Sequence, residues 1–363
     1  MAITRLPLRV ALVAPSRHPL RRPFLGGMEA MVWNLARGLR AEGVQTLVVA
    51  REGSDFLTPG MELDGGGWNP SDLSLGDRYA PPAGFLREHH AYLRAMTALA
   101  RADVDVVHNH SLHHLPISLA ETLPCPLVTT LHTPPIAWME SAFEVAGARA
   151  GEVTAVSRAT ADSWCLDPAP GVVPNGVDLR LWRPGPGGDD VVWSGRITPE
   201  KAPHDAIRAA ARAGLPIRLA GPVDDPDYFA ERIRPLLGPR TTYVGHLAAP
   251  ALAELVGRSA VALVTPHWPE PFGLVVAEAL ACGTPVAAYA CGGIAETLTD
   301  PGVGRLVRPG DVDALAGALR EAAQLSRARV RAFAEEHLSL DLMVARYLEL
   351  YAHLVRQRTS SVA

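Results

Sequence analysis

The sequence predicts an α/β protein made of two doubly wound, parallel-sheet domains, and three observations carry that prediction. The chain has 363 residues, too many for one core of ordinary size, so two domains are expected. Short, almost wholly apolar runs alternate with amphipathic segments throughout, as in parallel strands covered by helices on both faces. A stretch dense in helix and strand breakers, WRPGPGGDD at 182–190, interrupts the alternation, which then starts again.

Taken in order, the runs 8–14, 45–50, 104–108, 126–132, 152–157 and 171–175 read as the strands of the first domain. Helical patterns at 27–41, 85–101 and 135–149 lie between some of them. After the breaker segment, strands are expected at 191–195, 216–221, 241–246, 260–266, 284–289 and 304–309, with helices near 199–213, 248–258 and 274–282. A last amphipathic helix covers 339–357. The domains are therefore drawn at 1–183 and 184–338, with 182–190 as the linker. Ligands of such sheets bind at the carboxyl ends of the strands, so two facing sheets place a site in the cleft between them.

Composition narrows the function. A net charge of −4 gives no reason to expect nucleic acid. The four cysteines form no CxxC pair, which argues against a zinc site or a disulfide framework and fits a reducing, cytoplasmic setting. No run approaches the ~18 apolar residues of a spanning helix, while peripheral membrane contact and oligomeric state stay open. The apolar run before Pro15 is too short for a signal peptide and reads as the first strand. Of 34 basic residues only Lys201 is a lysine, which draws attention to its surroundings.

Most nucleotide motifs are missing. The one lysine follows Glu200 rather than a Walker glycine, and no G-x-G-x-x-G follows the strands at 8–14 or 191–195. SGRITPEK at 194–201 is more informative. Gly195 ends a strand, and Arg196 and Lys201 bring two cations to a helix start, an arrangement suited to a diphosphate. In WPEPFGLVVAEAL at 268–280, Glu270 sits between two prolines and Glu278 interrupts an apolar helical run. A carboxylate accepts hydrogen bonds from adjacent hydroxyls. Were the segment helical throughout, the two acids would stand ~12 Å apart along its axis, far enough to hold two sugar rings either side of a diphosphate.

In the first domain, Gly26-Gly27 precede a helix and either form a plain turn or let a ligand approach its N-terminus. Arg17, His18, Arg21 and Arg22 in the same loop favour something anionic on the acceptor side. His132 ends a buried strand, where it is either a core histidine or a cleft residue. His108 and His110 lack a carboxylate or cysteine at ligand spacing, so no metal is assigned. The stretch 52–77 carries six acids and no Lys or Arg. It reads as a solvated insertion, or as a feature favouring an amine-bearing acceptor, whereas the arginine cluster favours a phosphorylated one.

With GGMEAMVWNLARGL, TLHTPP, VTAVSRAT, VVPNGVD, WSGRITPEK, LAGP, VGHL and PEPFGLVVAEALACGTPVAAYACGGIAE in place, the chain resembles the family-4 retaining glycosyltransferases of the GT-B fold. The last segment matches their E-x7-E signature. The resemblance implies two Rossmann-like domains, with the final helix returning to the first. It implies Glu278 on the nucleotide ribose, Glu270 on the donor sugar, and Arg196 and Lys201 on the diphosphate. Phe272, Gly273 and Leu274 would meet phosphate or sugar through their backbone, with Gly195 beside them, and His246 and Leu247 would flank the base. His132 and the Gly26-Gly27 loop would lie near the sugar. The implied reaction moves a sugar, with retention, from a nucleotide-sugar (a UDP-sugar first among donors) to a hydroxyl of a small-molecule or glycan acceptor. The nucleotide-sugar is a co-substrate, no cofactor is expected, and fixed cations stand in for a metal. The D-x-D triplets at 103–105, 225–227 and 311–313 fall away from the site. A front-face mechanism, with the departing phosphate taking the acceptor proton, ranks above a covalent route through Glu270. A nucleotide-sugar epimerase and a non-catalytic binding protein are the rival readings.

Overall fold

Two units, each with its own sheet, make up the computed structural model, which describes residues 8–64 and 67–362. Residues 1–7, the glycines 65–66 of the acid-rich stretch and residue 363 lie outside that description. The first unit comprises Met1–Val156, Ala161–Val173 and Val344–Ala363, and the second Ser157–Thr160 and Pro174–Met343.

The first unit holds strands β1 (Arg9–Val13), β2 (Gln45–Val49), β3 (Val106–Asn109), β4 (Leu127–Leu131), β5 (Glu152–Ala155) and β6 (Gly171–Val172). They form one sheet in the order β2-β1-β3-β4-β5-β6, and every pairing is parallel. Apolar runs become central strands because both faces are covered: Val10, Ala11, Leu12 and Val13 are all fully buried. Helix α1 (Gly27–Ala41) buries Val32, Leu35, Ala36 and Leu39, the 3.6-residue stripe seen in the sequence. Helices α2 (Ala83–Leu99) and α3 (Ala137–Ala146) cover further parts of the sheet through the clusters around Tyr92 and Phe143.

The second unit holds β7 (Val191–Ser194), β8 (Ile217–Ala220), β9 (Thr241–Tyr243), β10 (Val261–Val264), β11 (Val286–Tyr289) and β12 (Gly304–Val307). Their order is β12-β11-β10-β7-β8-β9, again wholly parallel. Counted within the unit this is 6-5-4-1-2-3, the dinucleotide-fold order with its reversal between β7 and β10. Helices α4 (Pro203–Ala213), α5 (Ala249–Gly257), α6 (Leu274–Ala281), α7 (Val312–Ala322) and α8 (Arg327–His337) accompany these strands.

The breaker-rich stretch is not the free linker its composition suggests. A Cβ on Gly185 would run into the backbone of Gly257, and one on Gly188 into the carbonyl of Arg258. Arg327 fastens the same region, donating to the carbonyls of Gly185, Ser259, Gly257 and Cys282. The glycines are there for close backbone approach rather than for flexibility.

Helix α9 (Leu340–Val362) runs beyond the expected 357, and its residues from Val344 onward belong to the first unit. Tyr347 and Tyr351, four apart and so on one helix face, are fully buried. The Tyr351 hydroxyl lies 2.5 Å from His108 Nδ1, and His108 Nε2 lies 2.7 Å from Thr130 Oγ1. Thr130 in turn meets Thr154 at 2.8 Å and the Tyr347 hydroxyl at 3.1 Å. Burial pushes the Tyr347 hydroxyl up to about 12 and His108 well below its usual range, so the network is neutral. His108 is thereby a structural residue of the first unit.

Candidate active site

In the second unit, the loops leaving β7 and β10 diverge where the strand order reverses, which opens a crevice at their carboxyl ends. They are stitched together at its floor. The Thr265 hydroxyl lies 3.0 Å from the carbonyls of both Lys201 and Ala202 and accepts the Trp193 indole N–H at 3.1 Å. The amide of His267 donates to the Glu200 carbonyl at 2.8 Å.

The crevice brings Lys201 to Glu270. The ammonium donates to Glu270 Oε2, and the same oxygen accepts the Trp268 indole N–H at 3.0 Å. Lys201 Nζ also stands 5.2 Å from the centre of the Trp268 ring, within cation–π range. Both charged side chains are largely shielded, at 20% and 17% exposure, so water screens the pair only in part. Pro269 and Pro271 limit the backbone around Glu270, and its carbonyl accepts the Gly293 amide at 2.7 Å. Gly292, at φ +56°, leans so close that a Cβ would strike the Glu270 backbone. Glu270 is thus held from both its side chain and its main chain.

Glu278 stands differently. Gly273, at φ +85°, caps α6, so the helix begins only at Leu274. The axial distance imagined from Glu270 does not apply, and Glu278 lies about 6 Å into the helix. Its carboxyl has no polar protein partner among the described residues, and burial pushes it up to about 8. A partly accessible carboxylate, largely desolvated and without a protein donor, is suited to accept two hydroxyls. Phe272 is buried, with its carbonyl taking the Thr297 hydroxyl at 3.1 Å, which sets the entry of α6.

Arg196 is engaged elsewhere: it pairs with Asp224 at 2.8 Å and Glu200 at 3.7 Å. Reaching a diphosphate requires it to exchange these carboxylates for phosphate. Gly195 is fixed by its amide N–H, which donates a hydrogen bond to the Ala220 carbonyl at 3.0 Å. His246 and Leu247 follow β9, tied in by the Gly221 amide on the Gly245 carbonyl at 2.9 Å. His246 is exposed, and among the described residues no hydrogen bond joins either residue to the Lys201–Glu270 pair.

In the first unit, the order reverses between β1 and β3. The loop after β1 carries His18, Arg21, Arg22 and Gly26, Gly27 opens α1, and Arg21 and Arg22 are exposed. Arg22 lies 4.6 Å over the Trp33 ring, whose N–H goes to Asp55 at 2.9 Å. Gly26 caps α1, and a Cβ there would strike the carboxylate of Glu29, a buried acid in the first turn. With an acid already at this helix start, hydroxyls suit it better than a phosphate. His132, at the end of β4, is 7% exposed and lies 3.0 Å through Nε2 from His110 Nδ1.

Several acids singled out in the sequence have internal partners. In the stretch 52–77, Asp55 serves Trp33 and Glu62 pairs with Arg94 at 3.5 Å, which weakens its reading as a cation-binding surface. Asp103 and Asp105 pair with Arg9, Asp225 and Asp311 cap helices, and Asp313 meets Arg212. One histidine trio converges, His89, His113 and His114, with candidate ligand atoms within 4.8 Å of one another. His113 Nδ1, however, accepts the Leu115 amide at 3.1 Å, which puts the ring proton on Nε2. In this tautomer the trio is a lone pair short of a three-histidine metal site.

Glu29, Trp268, Gly292 and His110 were not assigned to the site from the sequence. Glu29 had a signal, an acid three residues after a capping glycine, and Trp268 adjoins the Glu270 loop. Gly292 and His110 act on residues 22 positions away, which no local pattern reports.

Two family models cover most of the chain: "Glycosyltransferase Family 4" matches residues 25–181 and "Glycosyl transferases group 1" residues 185–336. The D-inositol 3-phosphate glycosyltransferase of Mycobacterium avium is 31% identical, over 98% of this chain and 96% of that protein. The glycogen synthase of Mycobacterium tuberculosis is 29% identical, over 86% and 85%. Among solved structures, AviGT4, a glycosyltransferase involved in avilamycin A biosynthesis, superposes with a TM-score of 0.70 at 26% identity, covering 96% of this chain and 98% of that one. A sucrose-phosphate synthase from Thermosynechococcus elongatus shares the fold at TM-score 0.76 and 21% identity, covering 96% and 100%. With its two parallel sheets and these relatives, the chain belongs to glycosyltransferase family 4 and is a glycosyltransferase of the GT-B fold.

Proposed function

We propose that this glycosyltransferase takes a nucleotide-sugar, a UDP-sugar first among candidates, and moves the sugar with retention to a hydroxyl of a small-molecule or glycan acceptor. The observation that carries the reading is the contrast between the two signature acids. Glu270 is clamped by Lys201 and Trp268, while Glu278 stands without a polar partner among the described residues. The first is pre-set beside a cation, as a sugar binder next to a diphosphate must be. The second is left for ribose hydroxyls. Lys201 at the crevice, with Arg196 released from Asp224, neutralises the leaving group, so the reading needs no metal. The departing phosphate then takes the acceptor proton at the front face. His132 serves the donor sugar as a hydrogen-bonding group.

For the acceptor, exposed Arg21 and Arg22 favour a phosphorylated molecule, and the internal partners of Asp55 and Glu62 favour it further over a cationic one. The relatives named for D-inositol 3-phosphate put a cyclitol phosphate in the acceptor panel. The test is nucleoside-diphosphate release from UDP-, GDP-, ADP- and TDP-sugars, with and without phosphorylated, amine-bearing and neutral acceptors. Release from one donor, lost in Glu278→Ala and Lys201→Ala, is expected. Isomerised donor without an acceptor, or binding without release, would overturn the reading.

A further inference from the structure

At the ends of two neighbouring strands, a buried histidine pair is used only in part by the transfer reading. His110 follows β3 and His132 follows β4, which are adjacent and parallel. His110 Nδ1 lies 3.0 Å from His132 Nε2. His110 is fully buried, its ring centre 3.8 Å from that of His108, and its Nε2 is sealed from water with no hydrogen-bond partner among the described residues. Burial holds His110 well below the usual imidazole range and His132 down to about 3. Both rings are neutral near pH 7, and each carries a single ring proton.

For the 3.0 Å contact to be a hydrogen bond, one proton must sit between the two nitrogens. If His132 supplies it, the proton of His110 is forced onto Nε2, an N–H donor buried without an acceptor. If His110 supplies it, Nε2 is left as a bare acceptor nitrogen. Either way a buried Nε2 goes unpaired, and an orphaned buried N–H is the rarer outcome in folded proteins. We infer that His110 is a positioning residue: it donates Nδ1–H to His132 Nε2 and so fixes His132 in the tautomer whose Nδ1–H points outward as a donor. His132 Nδ1 has no protein partner among the described residues and is not one of the buried, unpartnered atoms, so solvent or substrate reaches it. A ring presenting N–H binds a hydroxyl or phosphoryl oxygen as a donor, whereas the other tautomer would offer a lone pair to that oxygen. This assignment rests on the reading that His132 serves the transfer, and the substrate atom it specifies is a sugar oxygen able to accept.

The test joins a tautomer measurement to kinetics. Ring ¹⁵N–¹H correlation spectra of histidine-labelled protein, with the His132 signals identified by their loss in His132→Gln, report which nitrogen carries the proton without any ligand. The wild type is expected as Nδ1–H. His110→Leu is expected to release His132 into a mixture richer in Nε2–H, and His110→Asn, which keeps a donor near the position of Nδ1, to restore it. With the donor found in the panel, kcat/KM is expected to fall about tenfold or more in His110→Leu, to recover in His110→Asn, and to show no further fall when His110→Leu is added to His132→Gln. Nε2–H in the wild type overturns the inference, whatever becomes of the His110 variants. Nδ1–H with undiminished turnover in His110→Leu also overturns it, as a positioning role. Full turnover in His132→Gln overturns the underlying reading of His132, and is told apart because the wild-type spectrum is unaffected.

Discussion

Replacing Glu278 with glutamine removes a carboxyl whose pKa burial raises from 4.5 to about 8, and the consequence is a change in how stability depends on pH. The fold favours the protonated acid. That contribution is whole below about pH 4.5, declines as pH rises, and is gone above about 8. At 1.36 kcal/mol per unit, the full shift would cost the wild type about 4 kcal/mol between pH 5 and 8.5. Water reaching the half-buried group reduces this to about 1–3 kcal/mol. Glutamine does not titrate, so its own burial cost is a constant offset that leaves the slope alone. Urea unfolding at a series of pH values, with midpoints compared at equal m-value, should show wild type and Glu278→Gln diverging steadily toward high pH, the pH-dependent part of their difference being largest above pH 8. Parallel curves would refute the claim that Glu278 is a desolvated, unpartnered acid. Adding the nucleotide identified in the donor panel should flatten the wild-type decline, because ribose hydroxyls bonded to the carboxylate pull its pKa down.

Trp268→Phe keeps the ring beside Lys201 but removes the N–H to Glu270, and should lower kcat/KM about tenfold, the worth of one hydrogen bond to a charged group, in steady-state assays of diphosphate release. Gly292→Ala forces a Cβ into the Glu270 backbone at a positive φ. It should cost about 1–3 kcal/mol in urea unfolding and impair donor binding in calorimetry more than surface changes do. Tyr351→Phe leaves His108 Nδ1 unpaired in a sealed environment, for an expected loss of about 1–3 kcal/mol with turnover per folded molecule unchanged.

The strands were legible because both faces of each sheet are covered, so Val10–Val13 and Val261–Val264 read as continuous apolar runs. Helix α1 was legible through its Val32–Leu39 stripe. Helix α8 was not, since it buries only Val330 and Ala334 among its apolar residues and contributes chiefly through the hydrogen bonds of Arg327 and Arg331. Its apolar stripe is too narrow to announce a helix. In the site, Glu278 stood out as an acid inside an apolar run and Lys201 as the sole lysine. Their unequal treatment, one acid clamped and the other bare, depends on Trp268, Gly292 and the depth of α6, which are matters of tertiary placement. The composition of 182–190 was misleading for the same reason: glycine marks flexible chain and close backbone contact alike, and only packing separates the two.

That packing bears on attempts to recombine this enzyme with its relatives. An exchange of halves cut within the glycine-rich stretch would split a segment whose glycines are fitted to residues 257–258 and whose carbonyl at Gly185 is held by Arg327. A junction at Val173–Pro174 leaves that fit whole. It must be matched by a second junction near Met343–Val344, inside α9, so that Tyr347 and Tyr351 travel with His108 and Thr130. Hybrids made with the first cut alone would carry a foreign helix against a native histidine.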